Sequence, residues 1–595
     1  MRYLLLLLLV ITLLVALYLA GLYGFAPYAT MRAELTAANA QGWAAVLPQP
    51  LPILAHTPAR YALLRGTIAV VLAGAVVGLG ALGLRRSWRE VKRLGQDTKR
   101  ALLSLRGFWH GLSRGEQWAA TAVLLLVLGL RAWFLKHSAF NSDELVSSDY
   151  FVWPGPRVTA SFYTLPNNHI LYNLLGGLLL RLAPAGTDPE LLLRLPSLVL
   201  GFAGTGLAYA GLARLTSLRV ATCSVCLAQL VPEAVEHSVA ARGYGVQAAC
   251  VYALFLAVLV LLRGPACHRL AWTVVVVASV LGFYLIPTFI YPFLSLGAGL
   301  LGGLACQRRS RVQAAHTVVA GAAVLLLVGL LYLPVGLLSG WPALLANNYV
   351  VRLTATHFWS NLGPYYLWGT VGTLLGQQLV TVPALLLLIS GGMVLIRRWA
   401  PPAWWPVAAL AWVGLLGPLP SLAVQRVFAP TRTVHYVAFF VALLGALLFE
   451  AVVRRTRGPA YLAWLVLGAG LAGYAGYRLP RLAQEVALER ALRNEAIQTD
   501  QWLRARRPRR VFTNAYGQSL HLRHLALARR QPQLPIQLVE QRPSIEPHDY
   551  LLLVRGRRLP GWVRPPYQLV YQHGHLVIYD LMPDQAISAG LMQSH

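Results

Sequence analysis

Acidic residues are nearly missing from the middle of this chain. Between Leu191 and Phe449 only Glu233 and Glu236 carry a carboxylate, and both lie in one short polar loop. Charged residues make up 12% of the 595 positions against 57% hydrophobic, and the mean hydropathy is +0.56. So many apolar runs cannot be buried in one water-soluble core, which excludes a soluble enzyme or a solvated binding module. Cysteine is also scarce: the five stand at 223, 226, 250, 267 and 306, so no disulfide staples the last third of the chain. Cys223 and Cys226 have a CxxC spacing. They lie in an apolar helix without a second pair or paired histidines, and read as small packing residues rather than metal ligands. The C-terminal region lacks both a glycine-rich phosphate loop and an evident catalytic triad.

What is present is a series of apolar stretches of near 20 residues, each long enough to cross a hydrocarbon core of about 30 Å. About thirteen are expected: 3–23, 61–84, 118–136, 191–213, 219–235, 244–262, 270–287, 289–306, 315–335, 373–396, 403–421, 433–452 and 459–477. Basic residues stay on the cytoplasmic side during insertion. The loop from Arg85 to Arg114 is dense in Arg and Lys, and Arg214 with Arg219, Arg263 with Arg269, Arg308 with Arg309, Arg397 with Arg398 and Arg454 with Arg455 continue the same alternation. The pattern predicts a cytoplasmic amino terminus and an external loop at 137–190. The tail after Tyr477 is also expected outside, in a bacterial cytoplasmic (inner) membrane. The net charge of +30 is then accounted for by this bias and by contact with membrane lipid headgroups, not by nucleic acid. The first segment has too long an apolar run and no A-x-A site, and is expected to be retained as a span.

Three regions follow. Residues 1–117 hold two spans and a basic cytoplasmic loop, whose VKRLGQDTKRALLSL stretch suits an amphipathic surface helix. Residues 118–477 form the membrane core. Within it, 168–183 is too short to span and is expected to lie at the outer interface, under an aromatic external loop near 336–372. Residues 478–595 read as a small extracytoplasmic α/β domain, ending in a hairpin around His573-Gly574.

Against this scarcity of acids, Asp143 and Glu144 follow directly on an apolar span. Charge at a membrane is costly, so such residues are functional candidates by default. Asn168 and His169 come from the same external loop, Glu236 and Arg242 from the next, and Arg432 from the last. A carboxylate that removes a proton from an acceptor, with cations that stabilise an anionic leaving group, is the chemistry such a set supports. A phosphate suits it, because Arg offers bidentate donors and the departing anion needs no general acid. No cofactor is required. A divalent cation held by the two carboxylates is compatible with the sequence but not demanded by it. Asp149 has a weaker claim, and Asp188 with Glu190 reads as the N-cap of the next span.

The DE pair after a span, the interfacial helix and PELLLRLPSLVLGFAGTGLAYAGLARL together resemble the GT-C superfamily, within glycosyltransferase family 39. That family includes the protein O-mannosyltransferases and the lipid A aminoarabinose transferases. VEHSVAARGYG resembles its S-R-x-A-R-x-Y stretch, with Arg242 and Tyr244 at the second arginine and the tyrosine, and APTRTVHY resembles its late P-x-R-x-x-x-Y segment. The resemblance covers roughly 118–477, with the tail also expected. It implies transfer of a sugar, with inversion, from a polyprenyl-phosphate donor to a lipid, glycan or protein acceptor on the outer face. It also implies a catalytic aspartate at Asp143 and phosphate contacts at Arg242 and Arg432. The chain departs from the family in having two extra spans, Asn167-Asn168-His169 where many members have His-Pro-Pro, and Ser238-Val239 where the first arginine stands. The competing function is a transporter or flippase of lipid-linked glycans. It calls for charged residues within interrupted spans at the midplane, and the sequence places few there.

Overall fold

The computed structural model describes residues 2–40, 56–184, 186–264, 267–307, 311–345, 351–376, 385, 388–456, 459–513, 515–538 and 545–581. They form a helical membrane bundle that carries one small sheet. Ten helices are long and apolar enough to cross a membrane, or eleven if one bent pair counts as a single span. The amino-terminal pair α1 (Arg2–Tyr23) and α3 (Pro58–Leu82) is joined on one side by α2 (Tyr28–Ala40). On the other side α4 (Leu84–Gly111), the expected amphipathic helix, leads into α5 (Arg114–His137). Of the thirteen expected spans, 373–396 lies partly outside the described residues. The stretch at 459–477 is the start of one continuous helix, Ala460–Arg506, that runs on into the tail.

After α5 the chain stays at one end of the bundle for a run of short elements. These are α6 (Ser142–Ser147), a π-helical turn at Ser148–Val152, α7 (Pro156–Ser161) and α8 (Ile170–Leu182). At 1.5 Å per residue, the 13 residues of α8 rise about 20 Å, too short to cross the hydrocarbon. The chain then crosses in α9 (Pro189–Leu215), whose N-cap Asp188 accepts from the Glu190 N–H at 3.0 Å. It returns through α10 (Leu218–Gln229) and α11 (Pro232–Val239), which are bent by 80° against each other. Next come α12 (Tyr244–Arg263), α13 (His268–Leu285), α14 (Ile290–Cys306) and α15 (Arg311–Pro334), then the spans Pro402–Gln425 and Val437–Thr456.

The bundle therefore has two chemically different ends. One gathers the basic turns between α3 and α5, α9 and α10, α12 and α13, and after Val437–Thr456. The other carries the short elements from α6 to α8, the amino ends of α9 and α12, and the tail. Between them one cation lies deep: Arg131 of α5 donates to Thr205 Oγ1 at 2.9 Å and to Gln229. Cys223 and Cys226 are buried in α10 and form no disulfide.

The tail sheet has the order β2-β1-β3-β5-β4. Strand β1 (Arg510–Thr513) pairs in parallel with β2 (Ile536–Leu538) and with β3 (Asp549–Val554). The expected hairpin is formed by β4 (Gln568–His573) and β5 (Leu576–Asp580). A crossover helix, Tyr516–Ala528, follows β1 and turns back onto the membrane core.

Candidate functional site

The loop after α5 is built by a capping box. Asn141 accepts the Glu144 N–H at 3.0 Å and Glu144 accepts the Asn141 N–H at 3.1 Å, which starts α6 one residue before Asp143. The two adjacent acids therefore point to different surroundings. Glu144 turns inward, with 1% of its side chain exposed. It takes a fork from Arg194 of α9 at 2.8 and 2.6 Å, and the Ala241 N–H at 2.6 Å. Arg194 also donates to the Ser138 and Ala139 carbonyls, and its guanidinium lies 4.9 Å from the centre of the Phe140 ring. With four donors on its two oxygens, Glu144 is a fixed acceptor that joins α6, α9 and the loop before α12. The expectation that it acts beside Asp143 meets this geometry: its acceptor positions are filled.

Asp143 keeps 29% of its side chain exposed and faces outward from the same turn. Its Oδ2 lies 2.5 Å from Arg242 and 3.0 Å from Arg432, and its Oδ1 accepts from Asn167 Nδ2 at 3.0 Å. Burial pushes the carboxyl upward, but Arg242 and Arg432, helped by Asn167, overrule it and hold it below the usual carboxylate range. Three segments far apart in sequence thus meet on one carboxylate at one end of the bundle.

His169 completes the group. Its Nδ1 accepts the Gly243 N–H at 2.8 Å, so in the neutral ring the proton sits on Nε2, 3.4 Å from Arg242. Burial, then Arg242, Arg432 and His237, push its pKa well down, so the ring stays neutral. Gly243 permits this approach: a Cβ there would stand 3.2 Å from His169 Nδ1 and 3.3 Å from Leu285. Tyr244 packs edge-on against His169 at 4.8 Å and lies under the Arg242 guanidinium, also at 4.8 Å. Arg242 Nε is buried with no protein acceptor among the described residues. Unspent donors from Arg242, Arg432 and His169 therefore surround this partly exposed acid.

Other expected site residues lie elsewhere. Asn168 is buried: its amide donates to the Thr159 and Phe162 carbonyls, each at 2.8 Å, and its Oδ1 accepts from Asn173. Its neighbour Asn167 is the one that faces Asp143, and Arg242 donates to it at 3.3 Å. Glu236 accepts from Asn141 at 3.0 Å rather than pairing with Arg242, so it supports the capping loop. The two-carboxylate cation site has no counterpart in this geometry, because Glu144 is saturated by Arg194 and Asp143 faces two arginines. Among the described residues no group of three or more His, Cys, Asp or Glu is arranged to hold a metal ion.

Two contributors escaped sequence reasoning. Arg194 sits in PELLLRLPS, where a lone cation inside the first turns of a span was the available signal. Asp149 is fully buried and pairs at 2.8 Å with His524 of the tail helix, which also lies 3.7 Å from Glu190. Burial disfavours charge on His524, yet Asp149 and Glu190 more than reverse this and push its pKa up to about 10. Arg523 stacks 4.2 Å from the Tyr150 ring centre. The tail is thereby fastened to the segment that follows Asp143.

Structural comparison finds two forms of one protein and a second, larger one. ArnT from Cupriavidus metallidurans in the apo state is 13% identical over 79% of this chain and 99% of that one, with a TM-score of 0.41. The same protein bound to undecaprenyl phosphate is 12% identical over 80% and 99%, with a TM-score of 0.37. The arabinosyltransferase EmbB from Mycobacterium smegmatis is 16% identical over 66% of this chain and 34% of its own, with a TM-score of 0.38. No family profile matches this chain, and no curated protein does.

Proposed function

We propose that this chain is an integral membrane glycosyltransferase. It transfers a sugar, with inversion, from a polyprenyl-phosphate donor to a lipid, glycan or protein acceptor at the outer face of the cytoplasmic membrane. The observation that carries the reading is the partly exposed carboxylate of Asp143, set between Arg242 and Arg432. The basic turns lie at the opposite end of the bundle, as the insertion rule requires for an external site.

In this reading the acceptor hydroxyl attacks the anomeric carbon from the face opposite the phosphate. Asp143 takes the hydroxyl proton as the new C–O bond forms. The bond from the anomeric carbon to the phosphate oxygen breaks, and its electron pair leaves with the phosphate. Arg242 and Arg432 receive that charge, and the His169 Nε2–H supplies a neutral donor beside them. Without donor, Asp143 itself occupies the cation pair. An arriving phosphate draws the arginines to itself, and the aspartate, relieved of them and facing a second anion, becomes a stronger base. Glu144, Asn168 and Glu236 hold the loops that set this geometry.

The test is Asp143→Asn in full-length protein, assayed by mass analysis of lipid and glycan products in cells with and without the gene. Loss of product with normal membrane insertion is expected. Full activity in the variant would remove Asp143 as the base. Movement of a lipid-linked glycan between leaflets of reconstituted vesicles, with no covalent product, would replace the enzyme by a transporter.

A further inference from the structure

At the end of the bundle opposite Asp143, a cavity of about 260 Å³ opens where α1, α3 and α4 meet. Four arginines line it: Arg2 from the first turn of α1, and Arg86, Arg89 and Arg93 from α4. The spacing of the last three, i, i+3 and i+7, puts them on one helical face. Gly83, at φ +74°, makes the sharp junction between α3 and α4 that turns this face toward Arg2. Among the described residues Arg2, Arg86 and Arg89 form no ion pair. The one lining carboxylate, Glu90, is committed to Arg269 at 2.8 Å and Arg93 at 3.0 Å. The Ser87 hydroxyl adds a neutral donor to the wall, while Leu6, Ala81 and Leu82 give it an apolar side.

Basic loops alone would satisfy the insertion rule by lying flat on the membrane surface. Here the cations converge on a hollow at the ends of two spans whose flanks are open to lipid: Leu5 is 48% and Val77 is 70% exposed. A cationic rim beside an apolar wall at this depth matches one kind of ligand, a phosphodiester with acyl chains attached.

We propose that the α1–α3–α4 cavity is a binding site for the phosphate headgroup of an anionic phospholipid, with the acyl chains lying along α1 and α3. The site is separate from the one that holds Asp143, and it belongs to the two spans and surface helix that precede the rest of the bundle. The shared chemistry, a phosphate oxyanion, is also offered by soluble phosphate, and the experiment distinguishes the two.

Delipidated full-length protein is titrated with phosphatidylglycerol, phosphatidylcholine and inorganic phosphate, and bound ligand is read by native mass spectrometry. Retention of phosphatidylglycerol over phosphatidylcholine, not displaced by inorganic phosphate, is expected. Removing three charges in R2Q/R86Q/R89Q weakens phosphatidylglycerol on the order of a hundredfold, at about 1 kcal/mol per cation near an anionic surface. Ala81→Trp keeps every charge but fills the hollow, so it separates shape from charge and serves if the triple variant fails to fold. It should weaken binding too. R397Q/R398Q, elsewhere on the same basic end, should leave binding unchanged. Equal weakening by R397Q/R398Q, or no effect of Ala81→Trp, would reduce the site to diffuse attraction and overturn the proposal. Tight binding of inorganic phosphate in place of lipid would overturn the lipid assignment.

Discussion

Asp143 and Glu450 each sit between two arginines, at opposite ends of the bundle. Glu450 accepts from Arg219 at 2.7 and 2.8 Å and from Arg454 at 3.1 Å, with none of its side chain exposed. Asp143 holds Arg242 and Arg432 at similar distances, yet more than a quarter of it is open. The same three charges make a staple in one place and, in the proposed mechanism, a reactive group in the other. The differences are access and unspent donors: Glu450 joins α10 to the helix Val437–Thr456, whereas the cations around Asp143 have donors left for a further anion.

The sharpest way to break this comparison is to neutralise each acid. Asp143→Asn should lower transfer by roughly 10²–10⁴-fold, the range for loss of a general base, while thermal melting in detergent stays near wild type. Glu450→Gln should do the reverse: stability falls by about 3 kcal/mol, as expected when a buried pair loses a partner, and turnover per folded molecule holds. If both variants lose activity in proportion to stability, the two clusters do the same job.

Next in size are the cations. Arg432→Gln and Arg242→Gln each remove a charge-assisted contact to phosphate, so kcat/KM should fall about ten- to hundredfold, more for the buried Arg242. Mutation of Arg454, in the sealed cluster, should leave kcat/KM where it was.

The pH profile is a finer probe. Asp143 is held below the usual carboxylate range, so it is ionised above that depressed value, and kcat/KM should fall only when pH drops below the ordinary carboxylate range. Donor binding raises the aspartate in the complex, so the acid limb of kcat should lie at higher pH than that of kcat/KM. Arg432→Gln removes a cation that lowers the pKa and should shift the kcat/KM limb upward. Coincident limbs in wild type would contradict the exchange of Asp143 for phosphate at the arginines.

The smallest effect is expected at the tail. His524 has its pKa raised to about 10 from an ordinary value of about 6.5, so its docking contribution is complete below pH 6.5 and lost as pH rises through 10. Hydrogen exchange across Tyr516–Ala528 should accelerate over that window, and His524→Gln should remove the pH dependence.

The helical bundle and the gathering of polar loops at one end were legible because both follow from hydropathy and charge bias over long stretches. Asp143 stood out because acids are so rare around it. What sequence could not separate was neighbours. Asp143 from Glu144, and Asn167 from Asn168, differ in direction by one step of backbone, and that direction is set by the Asn141 capping box and by Asn168 reaching the Thr159 and Phe162 carbonyls. Asp149 looked incidental because its partner, His524, lies 375 residues on in a different element. Such pairings depend on how the tail folds back, which no local pattern encodes.

The helix Ala460–Arg506 holds 47 residues, a rod of about 70 Å at 1.5 Å per residue, more than twice the hydrocarbon thickness. It starts after the basic turn that follows Val437–Thr456 and continues into the sheet domain, with Pro480 near its middle. The sheet domain is therefore indexed to the bundle like a hand on a shaft. One residue added between Pro480 and Arg506 would turn the tail by about 100° and lift it 1.5 Å, carrying His524 out of register with Asp149. Four residues added there, close to one full turn, would nearly restore the angle while raising the domain by about 6 Å. The phase of that helix thus decides which face of the tail meets Asp149.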